Sequence, residues 1–477
     1  MSANVASERL DEALPTGTRD YAIVIDAGSS GSRVHVYSWR KPNMQLKRLQ
    51  PAEWVRLPVV ELGNANSLVW QLKAEPGLST FADKPHTVDE HLRPLMEFAQ
   101  SIVPAKERSN TPVYLFATAG VRLVPDGLRQ RLLDAACRYI RNHHPFRVDD
   151  CAQQIRAITG EVEGVYGWVA ANYLLGGFDK SLGKTIDNGD DDGYGWSDAP
   201  QSLARRGTFG FMDMGGASTQ LVFEPDTQVA EEHRHDITEV RLRRLDGSVA
   251  RHDVFVVTFL GFGTNQARAR HIARLQGQLA RSNGTASAER IIHDPCLPVG
   301  LEETLEGGRF VGTGSLAECR EHTHPLLNKT VACPEAPCLF NGVHTPEIDY
   351  GRHRFVGVSD WWYSTHDILG QGGAYNSRDY RRAAEQFCQR DWDVILAEHR
   401  AGRLAPTVEE IRLRQQCFKA AWLMTVLHDG FGVPHDSAPS DASSHTNAPL
   451  QPAVFQSLDN ANGIPFTWTL GAALMHA

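Results

Sequence analysis

Residues 21–33 read YAIVIDAGSSGSR. A short apolar run ends at Asp26 and leads into a loop of glycine and serine, after which residues 34–39 return to apolar patterning. This order predicts a β-strand, a tight turn and a second strand. Glycine lets backbone N–H groups approach an anion closely, and serine adds a hydroxyl donor. The turn is therefore a candidate phosphate loop, although one loop of this kind is more often an ordinary hairpin.

A second segment repeats the pattern. Residues 210–220 read GFMDMGGASTQ, again a buried strand, an aspartate (Asp213) and a turn of small residues. Neither loop leads into a helix, which distinguishes both from the phosphate loops of dinucleotide-binding and P-loop proteins. Two copies predict two similar lobes that face each other across a cleft, with a phosphate chain held between the loops.

The composition is that of a globular protein. Of the 477 residues, 42% are hydrophobic and 22% are charged, which excludes disordered, collagen-like and coiled-coil classes. Lys and Arg number 48 against 57 Asp and Glu, a formal net charge of −9. The chain therefore has no overall basic field to attract nucleic acid, and we expect no nucleic-acid partner.

The cysteines indicate an oxidising compartment. The chain has 8 cysteines in close sequential pairs without a CxxC metal-binding pair, and two glycosylation sequons begin at Asn283 and Asn328. No apolar run reaches the length of about 18 residues that a membrane-spanning helix needs. Residues 1–20 lack the apolar core of a signal peptide and are predicted to form a flexible leader.

Local patterning predicts further elements. Helices are expected near residues 88–102 and 128–142, and strands near residues 113–118 and 254–261.

Residues 186–200 contain three consecutive aspartates (190–192) in a turn-rich setting. We interpret them as a solvated surface loop rather than a metal site. Residues 434–452 are predicted to form a linker or long loop.

One carboxylate has two interpretations. Residues 158–168 read ITGEVEGVYGW, and Glu163 lies among glycines at the start of a predicted helix. A carboxylate there is well placed to act as a general base. A glutamate is equally favoured near a helix start by the helix dipole. This segment alone does not decide between the two.

Together these segments resemble the apyrase family, the nucleoside triphosphate diphosphohydrolases. Five family regions occur in order: IDAGSSGSR at 25–33, ATAGVRLV at 117–124, ITGEVEGVYGWVAANYLLG at 158–176, MDMGGASTQLVF at 212–223 and FVGVSDWWYS at 355–364. Flanking matches extend the resemblance over nearly the whole chain from Tyr21, namely TFLGFGTNQAR at 258–268, DPCLP at 294–298, QCFKAAW at 416–422 and WTLGA at 468–472. TFLGFG and the spacing of Cys296 and Cys319 are most similar to the intracellular Golgi and lysosomal or vacuolar members.

The resemblance implies a fold and an activity. We expect an α/β fold of two RNase H-like lobes, as in actin, Hsp70 and hexokinase, with the active site in the cleft between them. Residues 21–160 plus about 450–477 are expected to form the N-terminal lobe and residues 161–449 the C-terminal lobe. The implied reaction removes terminal phosphates from nucleoside di- and triphosphates, and so clears UDP and GDP to support glycosylation.

The implied location is the lumen of the Golgi or of endosomal or vacuolar compartments. The resemblance also implies a C-terminal membrane anchor after WTLGA, which these 477 residues do not contain. We therefore expect membrane attachment only through that missing anchor, with a nucleoside di- or triphosphate as the partner of this chain.

The resemblance also assigns roles to individual residues. Glu163 matches the family's catalytic base, Ser218 and Gln220 match the side chains that hold the attacking water, and Glu161 is interpreted as a surface charge. Thr118 is expected at the metal or the transferred phosphoryl group. Asp26 and Asp213 are expected to hold Ca²⁺, Mg²⁺ or Mn²⁺ through water. The phosphates are expected between Gly28, Ser29, Ser30, Gly31, Ser32 and Arg33 on one side and Gly215, Gly216, Ala217 and Ser218 on the other.

The nucleobase is expected to stack on an aromatic ring at Trp361, Trp362 or Tyr363. We place these residues in a strand, where neighbouring side chains alternate between faces, and favour Trp362. The resemblance implies the disulfides Cys333–Cys338 and Cys388–Cys417. Pairs Cys296–Cys319 and Cys137–Cys151 are compatible with it, but sequence alone cannot fix the connectivity.

Three other functions compete with this interpretation. An exopolyphosphatase-like phosphatase has similar strand–Asp–glycine loops but lacks the EGVYGW and WTLGA segments. A non-catalytic nucleotide-binding module is disfavoured because Glu163, Ser218 and Gln220 are all present. A kinase requires an acceptor site, for which the sequence gives no sign.

Overall fold

The computed structural model describes residues 18–28, 30–47, 49–63, 70–178, 207–282, 291–405, 408–435, 453–461 and 463–476. Ser29, the acidic stretch 186–200, the sequon at Asn283, nearly all of the predicted leader and most of the predicted linker 434–452 lie outside these ranges.

The strands follow in chain order: β1 (Arg19–Ala27), β2 (Ser32–Arg40), β3 (Val60–Glu61), β4 (Gln71–Ala74), β5 (Val113–Ala117), β6 (Ile155–Ala157), β7 (Gly210–Met214), β8 (Ser218–Phe223), β9 (Ile237–Arg243), β10 (Val249–Leu260), β11 (Ile291–Asp294), β12 (Glu302–Leu305), β13 (Gly308–Gly312), β14 (Phe355–Ser359), β15 (Gly373–Ala374), β16 (Phe455–Ser457), β17 (Asn460–Ala461) and β18 (Ile464–Pro465).

The α-helices are α1 (Pro42–Leu46), α2 (Val88–Ile102), α3 (Ala119–Arg122), α4 (Asp126–His143), α5 (Cys151–Gln154), α6 (Gly160–Leu174), α7 (Thr227–Glu232), α8 (Thr264–Ser282), α9 (Leu316–Thr323), α10 (Asp360–Tyr363), α11 (Ser377–Cys388), α12 (Trp392–Arg400), α13 (Glu410–Met424) and α14 (Trp468–His476). Short 3₁₀ turns span Pro51–Glu53, Leu78–Phe81, Pro85–Thr87, Arg108–Asn110, Arg234–Asp236 and His324–Leu327, and a π-helical turn spans Thr425–Gly430.

Two large sheets have the same core topology. The first runs in the order β3-β2-β1-β5-β6, with β4 also pairing to β2. The second runs in the order β15-β16-β14-β7-β8-β10-β9. In each, a strand that ends in Asp and a glycine turn (β1 or β7) pairs antiparallel with the next strand and parallel with a later one. The structure is therefore α/β with two RNase H-like lobes, as predicted.

Helices α6 and α14 pack together between the two sheets. Their buried side chains share one apolar cluster with residues of both sheets, such as Val24, Tyr37, Val222 and Val356. Glycine makes the close approach possible, because a Cβ at Gly471 of α14 would lie 1.8 Å from a backbone oxygen of α6. Burial of this shared apolar surface holds the lobes together.

Helix α6 lies directly against the second sheet. Gly160, Gly164 and Gly167 recur along one face of the helix, as residues at these spacings do. A Cβ would lie 2.2 Å from Thr258 at Gly160 and 2.3 Å from Phe211 at Gly167. The glycines of the EVEGVYGW segment therefore serve packing, and they bring the first turn of α6 to the end of the second sheet.

The strands and helices predicted from apolar patterning are confirmed, with α2 at residues 88–102 and α4 at residues 126–143. The lobe assignment stays a prediction, with one correction. Strand β16 hydrogen-bonds to β14 in the second sheet, so the start of the segment assigned to the first lobe belongs with the second. The apolar residue Phe455 packs there against Trp361, which explains this choice.

All eight cysteines form disulfides within their lobes. The pairs are Cys137–Cys151, Cys296–Cys319, Cys333–Cys338 and Cys388–Cys417. The two pairs implied by the resemblance are confirmed, and so are the two that the sequence left open. Among the described residues, no helix is both long and apolar enough to cross a membrane.

Candidate active site

Two matching turns lie at the ends of β1 and β7. The Gly28 N–H donates to the Gly31 carbonyl over 2.9 Å, and the Gly215 N–H donates to the Ser218 carbonyl over 3.0 Å. In each hairpin an aspartate precedes the first glycine by two residues. The repeated sequence pattern is therefore a repeated structure, with one copy on each sheet.

Glycine at these turns is required by close contacts. A Cβ at Gly31 would lie 2.8 Å from the Ala74 carbonyl oxygen. Beneath the second turn, a Cβ at Gly263 would lie 2.4 Å from the Ala217 nitrogen. The Thr264 N–H also donates to the Gly215 carbonyl over 3.0 Å. The TFLGFG segment is thus the support on which the second turn rests.

Three carboxyl groups converge between the turns. Burial, together with the charge of Asp213, raises the pKa of Asp26 to about 7. Burial raises the pKa of Asp213 to about 6. Burial also raises the pKa of Glu163 to about 8, with contributions from both aspartates. The charge of Asp213 acts on both Asp26 and Glu163, which indicates that the three groups belong to one site.

This site suits a divalent cation. One oxygen of each aspartate, Asp26 Oδ1 and Asp213 Oδ1, is buried without a hydrogen-bond partner among the described residues. A buried carboxylate oxygen without a partner is costly unless a cation or water is bound to it. Hard cations such as Mg²⁺ and Ca²⁺ prefer oxygen ligands, and Mg²⁺ keeps several of its waters. The two aspartates therefore fit the predicted metal role.

Arg122 holds Glu163 in place. Arg122 Nη1 donates to Glu163 Oε2 over 3.0 Å and to the Ile158 carbonyl over 2.9 Å. The ion pair is well buried, with side-chain exposures of 13% and 12%. Arg122 opposes the rise of the Glu163 pKa that burial causes. This ion pair engages the Oε2 oxygen of Glu163.

Ser218 and Gln220 lie beside this ion pair. Gln220 Nε2 donates to Ser218 Oγ over 3.0 Å, and Arg122 Nη2 lies 3.4 Å from the same hydroxyl. Both side chains are almost fully buried. Strand register places Gln220 directly opposite Asp213. The structure therefore brings together the predicted base, the two predicted water-holding residues and one of the aspartates predicted to bind the metal.

The first lobe contributes Thr118 and Arg33. Thr118 follows β5, and its N–H donates to the Ala27 carbonyl over 3.1 Å, which places it beside the first turn. Arg33 is exposed and lies opposite Asp26 in the β1–β2 register. Its charge lowers the pKa of Asp26. Ser30 is exposed at the tip of the turn, and Glu161 is exposed, as predicted.

Ser32 is placed differently from the prediction. Its side chain is fully buried, and His91 Nε2 lies 2.8 Å from Ser32 Oγ. Ser32 is the first residue of β2, where alternate side chains point to opposite sides of the sheet, and its hydroxyl faces helix α2. The prediction that its hydroxyl contacts phosphate is therefore wrong.

The three adjacent aromatic residues also differ from the prediction. They lie on helix α10 rather than in a strand, because β14 ends at Ser359, whose φ is 60°. Trp361 is buried in the core and packs edge-on against Phe455, so it cannot stack on a base. Trp362 is half-buried and stacks on His366 with ring centroids 4.0 Å apart.

Tyr363 faces the cleft. Its ring is 40% exposed, and the charges of Arg33 and Asp213 both act on the pKa of its phenol, which burial raises. The Arg412 guanidinium lies 5.5 Å from the ring centroid. Of the three predicted base-binding residues, Tyr363 is thus the one that is exposed and near enough to Asp213 for their charges to interact.

Sequence reasoning missed several residues of the site. Arg122 lies in the quoted ATAGVRLV segment, four positions after Thr118, but its pairing with Glu163 spans 41 positions of the chain.

Ser359 hydrogen-bonds to Asp213, and Trp468 hydrogen-bonds to Asp26. A residue other than glycine at positive φ often marks a functional site. No pattern in the sequence predicted the positive φ of Ser359.

Residues 14–477 match the GDA1/CD39 (nucleoside phosphatase) family. The chain belongs to this family. The nucleoside phosphatase assignment agrees with the two glycine turns and with the acidic groups beside them.

Curated relatives of this nucleoside phosphatase are similar over most of their length. The chain is 37% identical to the Golgi apyrase of Saccharomyces cerevisiae, over 96% of this chain and 70% of the relative. It is 36% identical to the nucleoside-diphosphatase mig-23 of Caenorhabditis elegans, over 96% of this chain and 77% of the relative. A solved nucleoside triphosphate hydrolase from Neospora caninum shares the fold, with a TM-score of 0.56, 16% identity and coverage of 96% and 92% of the two chains.

Proposed function

We propose that this nucleoside phosphatase hydrolyses the terminal phosphate of nucleoside di- and triphosphates, and yields the monophosphate and inorganic phosphate. One observation carries the proposal: each of the two sheets has an Asp–glycine turn of the same geometry, and the charges of both aspartates act on Glu163. The names of the relatives, Golgi apyrase and nucleoside-diphosphatase, support the same reaction. The family membership argues against an exopolyphosphatase and against a binding module without activity.

In the proposed mechanism a water molecule attacks the terminal phosphorus in line with the bridging oxygen. The new bond joins the water oxygen to phosphorus, and the bond to the bridging oxygen breaks. Glu163 Oε1 accepts the proton of the water, while Ser218 and Gln220 orient it. The N–H groups of the two glycine turns, with Arg33, contact the phosphate oxygens, where negative charge must be balanced.

A divalent cation is part of this proposal. Asp26 and Asp213 hold it through water, and Thr118 lies at the same edge of the first sheet. When bound, the cation neutralises charge on the phosphate oxygens. Ca²⁺, Mg²⁺ and Mn²⁺ all accept such an oxygen environment.

We place this activity in the lumen of the secretory pathway, where it removes nucleoside diphosphates left by glycosyl transfer. Four disulfides are typical of an oxidising compartment. The Golgi apyrases named among the relatives support the Golgi as the compartment.

The experiment that tests the function is phosphate release from UDP, GDP, ADP and the matching triphosphates. Each is measured with Ca²⁺, Mg²⁺ or a chelator, and with no acceptor present. We expect release that depends on the cation and stops in the chelator. Release from polyphosphate but from no nucleotide would instead favour the exopolyphosphatase function.

Removal of Arg122 tests its effect on the base. Arg122→Gln is expected to lower kcat/KM by about 10–100-fold, since a hydrogen bond to a charged group contributes about 1.5–3 kcal/mol. Glu163 must be ionised to accept a proton, so activity rises as pH passes upward through its pKa. Because Arg122 lowers that pKa, the rise should move to higher pH in the variant.

The measurement is the pH profile of kcat/KM for wild type and Arg122→Gln. Arg131→Gln is the matched control, because Arg131 is exposed on the neighbouring helix α4. An unshifted profile in Arg122→Gln would contradict the positioning role.

Removal of the Tyr363 ring tests base binding. Tyr363→Ala is expected to raise KM for nucleotides by roughly 5–150-fold, since stacking of a base on an aromatic ring contributes about 1–3 kcal/mol. Tyr363→Phe keeps the ring and should retain a KM near that of wild type. If Trp362→Ala raises KM and Tyr363→Ala does not, Trp362 is the stacking residue.

A further inference from the structure

A second group of potential metal-ligand side chains consists of residues that do not belong to the candidate active site. His233 and Asp236 belong to the segment after helix α7, and Glu335 and His344 belong to a hairpin about a hundred residues later in the chain. One potential ligand atom from each of the four lies within 4.8 Å of the other three. None of the four has a role in the proposed hydrolysis.

The hairpin that carries Glu335 and His344 is held rigidly. The Cys333–Cys338 disulfide closes a loop around Glu335. Cys338 and His344 form an antiparallel bridge, and the Leu339 N–H donates to the Val343 carbonyl over 3.0 Å. Both side chains are therefore presented from a loop that needs no rearrangement to reach the other segment.

The hydrogen bonds of His344 fix which of its nitrogens can bind a metal. His344 Nδ1 lies 3.0 Å from the Glu335 carbonyl oxygen. A carbonyl only accepts, so Nδ1 carries the proton and Nε2 presents a lone pair. A histidine that donates its other ring N–H to a backbone carbonyl is the usual arrangement of a metal ligand.

The second histidine, His233, lies close to the Nε2 lone pair of His344, at a distance that suits two ligands of one metal ion. His233 Nδ1 lies 3.1 Å from His344 Nε2. Two imidazole nitrogens bound to one tetrahedral Zn²⁺, each at about 2.0–2.1 Å, are about 3.3–3.4 Å apart. A hydrogen bond from His233 to His344 would by itself account for this pair, so it is the carboxylates beside it that indicate a metal.

Those carboxylates complete the group. Asp236 Oδ2 lies 3.7 Å from His344 Nε2, and this oxygen is buried with no hydrogen-bond partner among the described residues. His235 Nε2 lies 3.1 Å from Asp236 Oδ2 and 3.5 Å from Glu335 Oε2. The contact with Asp236 is an ion-pair distance without hydrogen-bond geometry, so Asp236 Oδ2 still has no hydrogen-bond partner among the described residues.

We propose that His233, Asp236, Glu335 and His344 form a second cation site, which binds Zn²⁺ and ties the disulfide hairpin to the segment after α7. Two imidazole nitrogens and two carboxylate oxygens suit Zn²⁺, whereas Mg²⁺ and Ca²⁺ favour sites made of oxygen alone. The site is independent of the hydrolytic cleft and does not rest on the proposed function.

The test uses the full chain, prepared without a polyhistidine tag and freed of metal with a chelator. Zn²⁺ is titrated in excess Mg²⁺, which occupies the oxygen-rich cleft, and the bound Zn²⁺ is counted after dialysis. One Zn²⁺ per chain is expected to remain. Co²⁺ in its place should give the intense visible absorption of a four-coordinate ion rather than the weak bands of a six-coordinate one.

Variants decide whether these residues are the ligands. Binding should be lost in His344→Ala and weakened at least about ten-fold in Asp236→Asn, which keeps the shape of the side chain. His324→Ala is the matched control, since His324 is exposed in the same lobe and outside the group. Circular dichroism spectra establish that each variant is folded. Equal Zn²⁺ binding in folded His344→Ala and wild type, or no Zn²⁺ retained by wild type, would overturn the proposal.

Discussion

Replacing Glu163 with glutamine is expected to reduce the rate of phosphate release by about 10²–10⁴-fold, the usual contribution of general-base catalysis. Glutamine keeps the size of the side chain but cannot accept the proton of the attacking water. Because Arg122 pairs with Glu163 Oε2, the amide oxygen can still accept from it, and the fold should be preserved. The measurement is kcat at saturating nucleotide and cation, with KM for the nucleotide little changed.

Glu161→Gln is the matched control for this variant. Glu161 lies two residues earlier on the same helix and is exposed, so its replacement should leave kcat near that of wild type. Comparable losses in both variants would indicate a general effect of charge at the start of α6. A fully active Glu163→Gln would remove Glu163 from the mechanism.

Replacing Gly471 with alanine is expected to have the largest effect on stability. The added Cβ would lie 1.8 Å from the Tyr166 carbonyl oxygen, and a helix backbone cannot rotate away as a side chain can. Helices α6 and α14 would have to separate at the centre of the apolar cluster that joins the sheets. Overpacking of this kind costs roughly 1–3 kcal/mol and occasionally more. Thermal or denaturant unfolding would show a lower midpoint.

The control for this effect is another helical glycine. Gly277 lies on α8, and a Cβ added there would have no atom within 4 Å. Alanine at this position should leave stability unchanged or raise it by up to about 1 kcal/mol, because alanine favours helix more than glycine does. If Gly471→Ala unfolds at the same midpoint as Gly277→Ala, the close contact between α6 and α14 does not limit stability.

Much of the fold could be predicted because its signals are local. The two Asp–glycine turns are short, and alternation of apolar residues is enough to mark the strands on either side of them. Helix α2 was predicted at its observed bounds. The two-lobed fold, by contrast, was predicted from the family resemblance, and the order of strands within each sheet was not predicted. The return of β16 to the second sheet is fixed by a packing contact between Phe455 and Trp361, which no local pattern encodes.

The site was predictable where residue type determines chemistry, and less so where geometry does. Asp26, Asp213 and Glu163 could be named from the sequence, and the structure brings them together. The inward direction of the Ser32 side chain depends on how that side chain is placed in the sheet. The helical turn of residues 360–363 depends on the positive φ of Ser359. Contacts between distant positions, such as Arg122 with Glu163, exist only after the lobes have come together.

The ion pair between Arg122 and Glu163 joins parts of the molecule that belong to different sheets. Glu163 is carried by α6, whose glycines fit against the second sheet, whereas Arg122 is carried by the short helix after β5 of the first. A widening of the cleft would therefore separate the base from the cation that favours its ionised form. The proton affinity of Glu163 depends on burial, on Arg122 and on both aspartates, and all of these contacts change when the lobes move. The strength of the base is therefore a property of the closed cleft and not of the glutamate alone.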